Sequence, residues 1–286
     1  MEGTKRSLIK EHFSPELCLE IEKITLKPIS NNQKGNQIAD LVYKASDGTI
    51  ERIGTGTNRI GLQGHGVVFK IALDKDGKID NRREFKYSKQ LQPYVIKVYE
   101  CDHEGLVAVS EYVNSFSGME QLRNNQIEIR NILSEISESY LIGDVGIDEK
   151  NSGNWGKRND QLVMLDFAYI YAISYQTFQC SCDKKTLLKY DENFVNLVCP
   201  RCRKKYTFGQ IRKRISRKQQ EEEIGNIEDL GYVLSSPREE VELREDVEPA
   251  LIEEREKMEK KLKKQNPYKE EIKRHREMRR RMYEDE

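Results

Sequence analysis

The chain has 286 residues, of which 36% are hydrophobic and 34% charged, and its 49 basic side chains balance 49 acidic ones. That length allows one domain of roughly 200 residues plus appendages, with the apolar residues concentrated before position 212. A balanced charge argues against a protein that coats nucleic acid along its whole surface. There is no run of 18 apolar residues to span a membrane, and the start MEGTKRSLIK has no apolar signal core.

In chain order, residues 1–27 predict a helix and a lead-in strand, and residues 29–37 a polar loop. Residues 38–113 predict an antiparallel sheet with one helix packed on it. Within it, TIERIGTGTNRIGLQGHGVVFKIALD, from Thr49 to Asp74, reads as a three-stranded meander. Gly54 and Gly56 form its first turn, a strand runs from Arg59 to Gln63, and the third strand carries Lys70. Glycines let a backbone approach phosphate oxygens, and a lysine in a cleft offers them a point charge. Lys70 alternates with Phe69 and Ile71, which also fits the solvent face of a half-buried strand. DNRREFKYSKQL, from Asp80 to Leu91, predicts a charged helix whose Glu84 reaches back to Lys70. A further helix is expected from Gln126 to Tyr140, within a smaller, mainly helical lobe over 114–170.

The segment Asn151 to Tyr171, NSGNWGKRNDQLVMLDFAYIY, joins an Asn-rich loop to an apolar run, LVML, that reads as a covered strand. Asp166 stands at the end of that strand, about a dozen residues after Asn154. Phosphoryl-transfer enzymes hold magnesium with such a pair. A helix cap or an ordinary turn is the alternative use of the same residue types.

Taken in order over residues 48–170, these parts resemble the protein kinase-like fold, an α+β architecture. On that resemblance, Gly54 and Gly56 stand in the glycine-rich loop, Lys70 in VVFK takes the Val-Ala-Ile-Lys position, and Glu84 takes the helix C position. YVIKVYECDHEGLVAVSEYV resembles strands four and five, followed by a hinge at Glu111 to Val113 whose backbone would face an adenine. Asn154 resembles the catalytic-loop asparagine, and Asp166 in LDFA the Asp-Phe-Gly aspartate, with Ala168 for glycine. ATP and magnesium are the implied cofactors.

The chain also departs from that pattern. The glycine loop lacks the family's third glycine and continues Thr57, Asn58, Arg59. The family's catalytic aspartate lies five residues before the asparagine, a position held here by Glu149. Asp148 is one residue further back, and Asp144 in IGDVG resembles the Gly-Asp-Leu opening of kinase-like small-molecule phosphotransferases; Asp144 is preferred as base. No Ala-Pro-Glu segment follows Asp166. The reduced second lobe resembles uncharacterised kinase-like proteins of bacteriophages.

Four of the six cysteines fall within 23 residues: Cys180-Ser-Cys182, a gap of sixteen, then Cys199-Pro-Arg-Cys202. Two close pairs at the ends of a hairpin-length insert match a four-cysteine zinc ribbon, against scattered thiols or a disulfide pair. Such a site is structural, having no open position for catalysis. Cys18 and Cys101 read as small core residues. Zinc-type cysteines without a signal core predict a reducing cytoplasm, a host's if the gene is viral. RKKYTFGQIRKRISRK follows, with eight positive charges around Tyr206 and Phe208. It suits nucleic acid or an acidic partner, or simply a solvated face.

The expected domains are an N-terminal lobe (1–113), a reduced C-terminal lobe (114–175), a zinc ribbon (176–212) and a charged tail (213–286), flexible or helical, that binds a protein partner and stays outside the core. Three functions remain: an ATP- and magnesium-dependent phosphotransferase for a protein or small-molecule hydroxyl, a pseudokinase that works by binding, or a zinc-ribbon interaction protein on a kinase-like scaffold. No membrane partner is expected.

Overall fold

The computed structural model describes residues 7–172, 179–225 and 233–234. Three helices come first: α1 (Leu8–His12), α2 (Pro15–Leu26) and α3 (Asn31–Ala45). Ser7, Ser14 and Ser30 cap them, each side chain accepting from the amide three residues on. Helix thus replaces both the lead-in strand and the polar loop expected before residue 38. The Asn- and Gly-rich composition after Ser30 obscured α3. Its signals are the capping box of Ser30 with Gln33 and the four-residue spacing of buried Ile38 and Val42.

Five strands build the main sheet: β1 (Glu51–Thr55), β2 (Arg59–Gly64), β3 (Val67–Ala72), β4 (Val98–Asp102) and β5 (Val107–Glu111). Their order is β1-β2-β3-β5-β4, every pair antiparallel. The Val233–Leu234 strand adds to the outer side of β4 in parallel. Alternation sends Ile60, Leu62, Phe69, Ile71, Val107 and Val109 to one face, where they pack with Ile21, Ile24, Ile38 and Val42 of α2 and α3. Burying such side chains stabilises by about 1.5–3 kcal/mol each. Arg59, Gly61 and Lys70 are left on the opposite face.

That face meets α4 (Lys75–Ser88), which begins five residues before the expected Asp80 and ends three before Leu91. Asp74 caps it, its carboxylate accepting from the Gly77 amide at 2.8 Å. Gly77 looks like a helix breaker in the sequence, yet a Cβ there would lie 2.2 Å from the Asn58 carbonyl oxygen. The glycine permits close contact between α4 and the turn before β2.

The second half holds α5 (Met119–Asn124), α6 (Gln126–Ile136), β6 (Tyr140–Ile142), a 3₁₀ turn (Glu149–Asn154), β7 (Trp155–Arg158), β8 (Gln161–Met164) and β9 (Ile170–Ala172). β7 pairs with β8, and β6 with β9. The expected mainly helical lobe is therefore a mixture of two short helices and two strand pairs. The helix predicted to reach Tyr140 stops at Ile136 because Tyr140 pairs with Ala172. One core joins the halves: Trp155, Val163 and Met164 pack with Ile129 and Leu133 of α6 and Phe85 of α4.

The cysteine-bearing segment forms a hairpin of β10 (Gln179–Cys180) with β11 (Asp183–Leu187), then a three-stranded antiparallel sheet of β12 (Lys189–Tyr190), β13 (Leu197–Val198) and β14 (Lys205–Tyr206). After it come α7 (Phe208–Arg212) and α8 (Arg217–Ile224). Leu188, Leu197, Phe208 and Ile211 pack on Leu141 of β6 and Tyr171 of β9.

Part of the stretch expected to be a tail outside the core is inside it: Ile215, Gln220 and Ile224 are buried. α8 lies on α4, where Arg83 donates to the Gln220 amide oxygen at 3.0 Å and Tyr87 to the Glu223 carboxylate at 2.9 Å. Such docking is largely polar, so apolar patterning did not reveal it. The rest of the expected charged tail, residues 226–232 and 235–286, lies outside the described residues. Among the described residues, no helix is long and apolar enough to cross a membrane.

Candidate functional site

A cleft of about 840 Å³ runs between the cleft-facing side of the sheet and the second half. Gly54, Gly56, Lys70, Glu111, Val113, Asp144, Asn154 and Asp166 all line it. The structure therefore brings together residues from β1, β3, β5 and three loops of the second half. Glu84 lies just behind the wall, fully buried on α4, and receives Lys70 Nζ at 2.7 Å. Lys70 also donates to the Leu165 carbonyl oxygen at 2.8 Å, which fixes the strand end next to Asp166. Opposite Lys70 on β2 stands Gly61, which has no side chain to obstruct the lysine.

Asp148 is not in this wall. Its carboxylate accepts from the Asn151 amide at 3.0 Å and caps the 3₁₀ turn. Asp144 is at the mouth of the cleft, with backbone φ of +60°, in a left-handed conformation that aspartate tolerates better than most residues. Asn154 holds that conformation by donating to the Asp144 carbonyl oxygen at 2.6 Å. Trp155 donates to the next carbonyl, that of Val145, at 3.0 Å. Desolvation by the cleft walls, and then the negative charge of Asp166, push the Asp144 carboxyl above the usual range.

Sequence reasoning did not assign Arg59. Its guanidinium lies across the site: Nη1 is 2.9 Å and Nη2 3.1 Å from the two oxygens of Glu84, and Nη2 donates to Asp166 Oδ1 at 2.9 Å. Nη1 also donates to Asn81 at 3.3 Å. Burial by itself would raise the Asp166 carboxyl, but Arg59 and then Lys70 outweigh it and hold the group at about 2. The available signal was alternation: with Ile60 and Leu62 in the core, Arg59 must share the face of Lys70.

The hinge expected at Glu111 to Val113 begins on the last residue of β5. The Glu111 carboxylate accepts from Arg158 Nη1 at 3.1 Å, tying the hinge to β7. Arg83, one residue before Glu84, is fully buried and donates to the Ala168 carbonyl oxygen at 3.2 Å. It links α4 to the segment after Asp166.

The four paired cysteines form a second site. Their sulfurs lie within 4.8 Å of one another, with Cys180 to Cys202 at 3.5 Å and Cys182 to Cys199 at 3.7 Å. Four sulfurs around one zinc at the usual bond length stand about 3.8 Å apart, so the donor set fits that ion. All four are free thiols. The Cys182 and Cys202 amides point at Cys180 and Cys199 sulfurs at 3.5 and 3.4 Å, the polarity a thiolate requires. The Cys182 amide and then the Tyr206 hydroxyl pull the Cys180 thiol down to about 6. Its hydrogen bond to Cys180 pushes Cys182 up to about 12, a conflict that a shared cation removes.

This module touches the cleft loop. Ile147 donates its amide to the Asn193 carbonyl oxygen at 2.9 Å, and a Cβ on Gly146 would meet the Phe194 carbonyl oxygen at 2.7 Å. The Tyr190 hydroxyl donates to the Ile142 carbonyl oxygen at 2.9 Å. Arg212 of α7 reaches Asp80 of α4 at 3.4 Å and lies over the Tyr169 ring.

No protein-family model matches the chain, and no curated protein matches it. Among solved structures, it is similar to the Rio2 kinase of Chaetomium thermophilum in an ADP/Mg2+-phosphoaspartate complex, at 10% identity and a TM-score of 0.35. That similarity covers 58% of this chain and 76% of the other.

Proposed function

We propose that the cleft is a kinase-like site that binds a nucleoside triphosphate with magnesium and transfers its terminal phosphoryl group to a protein or small-molecule hydroxyl. The observation that carries this reading is the convergence of Lys70, Glu84 and Asp166, from strand, helix and loop, with Lys70 2.7 Å from Glu84. Lys70 would orient the nucleotide phosphates, and the backbone of Glu111 to Val113 would face the base. Asp166 and the amide oxygen of Asn154 would hold magnesium, which when bound neutralises charge on the phosphate oxygens. Asp144, at the mouth and raised toward working pH, would accept the hydroxyl proton. Asp148 is committed to its cap. The cysteine module would carry a structural zinc and keep the loop bearing Asp144 in place.

A second reading has one observation in its favour. The pairing of Arg59 with Asp166 at 2.9 Å suits a pseudokinase whose cleft binds nucleotide without turnover. Thermal shift with ATP and magnesium tests both readings, followed by phosphate-release and autophosphorylation assays. Turnover that Asp166→Asn abolishes, and that Asp144→Asn slows with nucleotide affinity unchanged, is the expected outcome. A shift without turnover selects the pseudokinase. No shift at all removes both and leaves an interaction protein, for which the basic flank after Cys202 and the residues beyond 225 are the candidate partner surfaces.

A further inference from the structure

Arg59 stands where the kinase-like pattern has its third glycine, so the cleft carries one more fixed cation than that pattern supplies. The residue is anchored at its backbone: its carbonyl oxygen accepts from the Gly56 amide at 2.8 Å, and it pairs with Ala72 of β3. Only 8% of it is exposed, yet the Asp166 side chain that it touches is 49% exposed. The guanidinium is therefore held by Glu84 through both Nη1 and Nη2, and only its Nη2 edge, shared with Asp166, faces the cleft. Burial opposes its charge, but Glu84, then Asp166 and Asp80, more than offset this and raise its pKa. It stays a cation throughout the working pH range.

The Nη2 donor that now serves Asp166 is a charged hydrogen-bond donor of the kind that phosphate oxygens accept strongly. A divalent ion held by Asp166 would bring charge to the same place. Glu84 is already matched by Lys70 at 2.7 Å, so the charge of Arg59 is not needed there. Resting on the nucleotide-binding reading above, we propose that Arg59 stands in for a divalent ion at the phosphate end of the cleft, so that the site binds a nucleoside triphosphate even when magnesium is absent. The Nη2 donor passes from Asp166 to a phosphate oxygen, while Glu84 keeps its two-nitrogen grip on the guanidinium.

The test is thermal shift and equilibrium binding of ATP to the full chain, in EDTA and in magnesium, for wild type and Arg59→Met. Wild type should bind under both conditions. Arg59→Met should lose about tenfold or more in EDTA, the weight of one charged hydrogen-bond set, and recover binding when magnesium is added. Should Arg59→Met not fold, Arg59→Lys decides: it keeps the charge but loses the second nitrogen that lets one side chain bridge Glu84 and the cleft, and it too should weaken in EDTA while magnesium restores binding. Wild type that binds only with magnesium, or substituted protein that binds in EDTA as wild type does, overturns the inference and leaves the nucleotide reading standing. Wild type that binds under neither condition overturns the nucleotide reading itself.

Discussion

The cleft and the cysteine module both gather polar groups, by opposite means. In the module, four cysteine sulfurs come from two short spacings, 180–182 and 199–202, joined by strand pairs. Few local rules place every ligand. In the cleft, Arg59, Lys70, Glu84 and Asp166 come from β2, β3, α4 and the loop after β8, and meet only when the whole sheet, helix and second half have packed. A site built from local spacing is tied to its ligand, whereas a site built from long-range packing is tied to the core.

The largest expected effect separates the two at once. Metal ligation supplies on the order of 10 kcal/mol to a small four-thiolate module. On the zinc reading, Cys199→Ser, or chelation of the native protein, should therefore unfold residues 179–206, read by limited proteolysis and by zinc release. A module that stays protected without metal would remove the contrast.

Next in size is Glu84→Ala. Glu84 has no exposed surface and serves Lys70, two nitrogens of Arg59 and the Phe167 amide, the last at 3.1 Å. Stripping the carboxylate leaves two buried cations facing each other and should cost about 3–5 kcal/mol, visible as a lowered Tm. Zinc binding should be unaffected. A loss below 1 kcal/mol by denaturant titration would mean that the cleft is not tied to the core in this way.

Asp148→Ala should cost about 1 kcal/mol, the usual weight of a lost cap, and little else. If it instead stops turnover while Asp144→Asn does not, the two aspartates exchange roles.

The smallest effect is a titration. Asp166 is held at about 2, below its ordinary 3.8, so its pairing contributes stability above pH 3.8 that is lost as pH falls through about 2. In Arg59→Met the carboxyl should titrate closer to its ordinary value, and that acid loss should shrink. Carboxyl-carbon NMR reads both values; an Asp166 that titrates at the same pH in both proteins breaks the assignment of cause.

The same contrast explains what the sequence disclosed. The cysteine set was legible because ligand spacing is local. The glycine turn, Lys70, Glu84, Asn154 and Asp166 were legible as parts in order, and the structure gathers them around one cleft. Arg59 was noticed only as a missing glycine, since nothing local says that an arginine after Asn58 will reach Glu84, 25 positions away. One helix was expected before residue 27, but the lead-in strand and the polar loop expected beside it are helix as well, because serine caps and a thin apolar stripe carry these helices. The placement of α8 depends on Arg83 and Gln220, 137 positions apart, a contact without a sequence signature.

The hydrogen bond from Ile147 to Asn193, with Gly146 pressed against Phe194, also bears on timing. The loop that carries Asp144 is braced by residues 191–196, which lie between β12 and β13 of the cysteine module. In a nascent chain, β1 to β5 and α4 are therefore synthesised before the residues that brace the mouth of the cleft. On the zinc reading, refolding of the metal-depleted chain should show two phases. The first is independent of zinc, and the second follows the rate at which the ion is supplied.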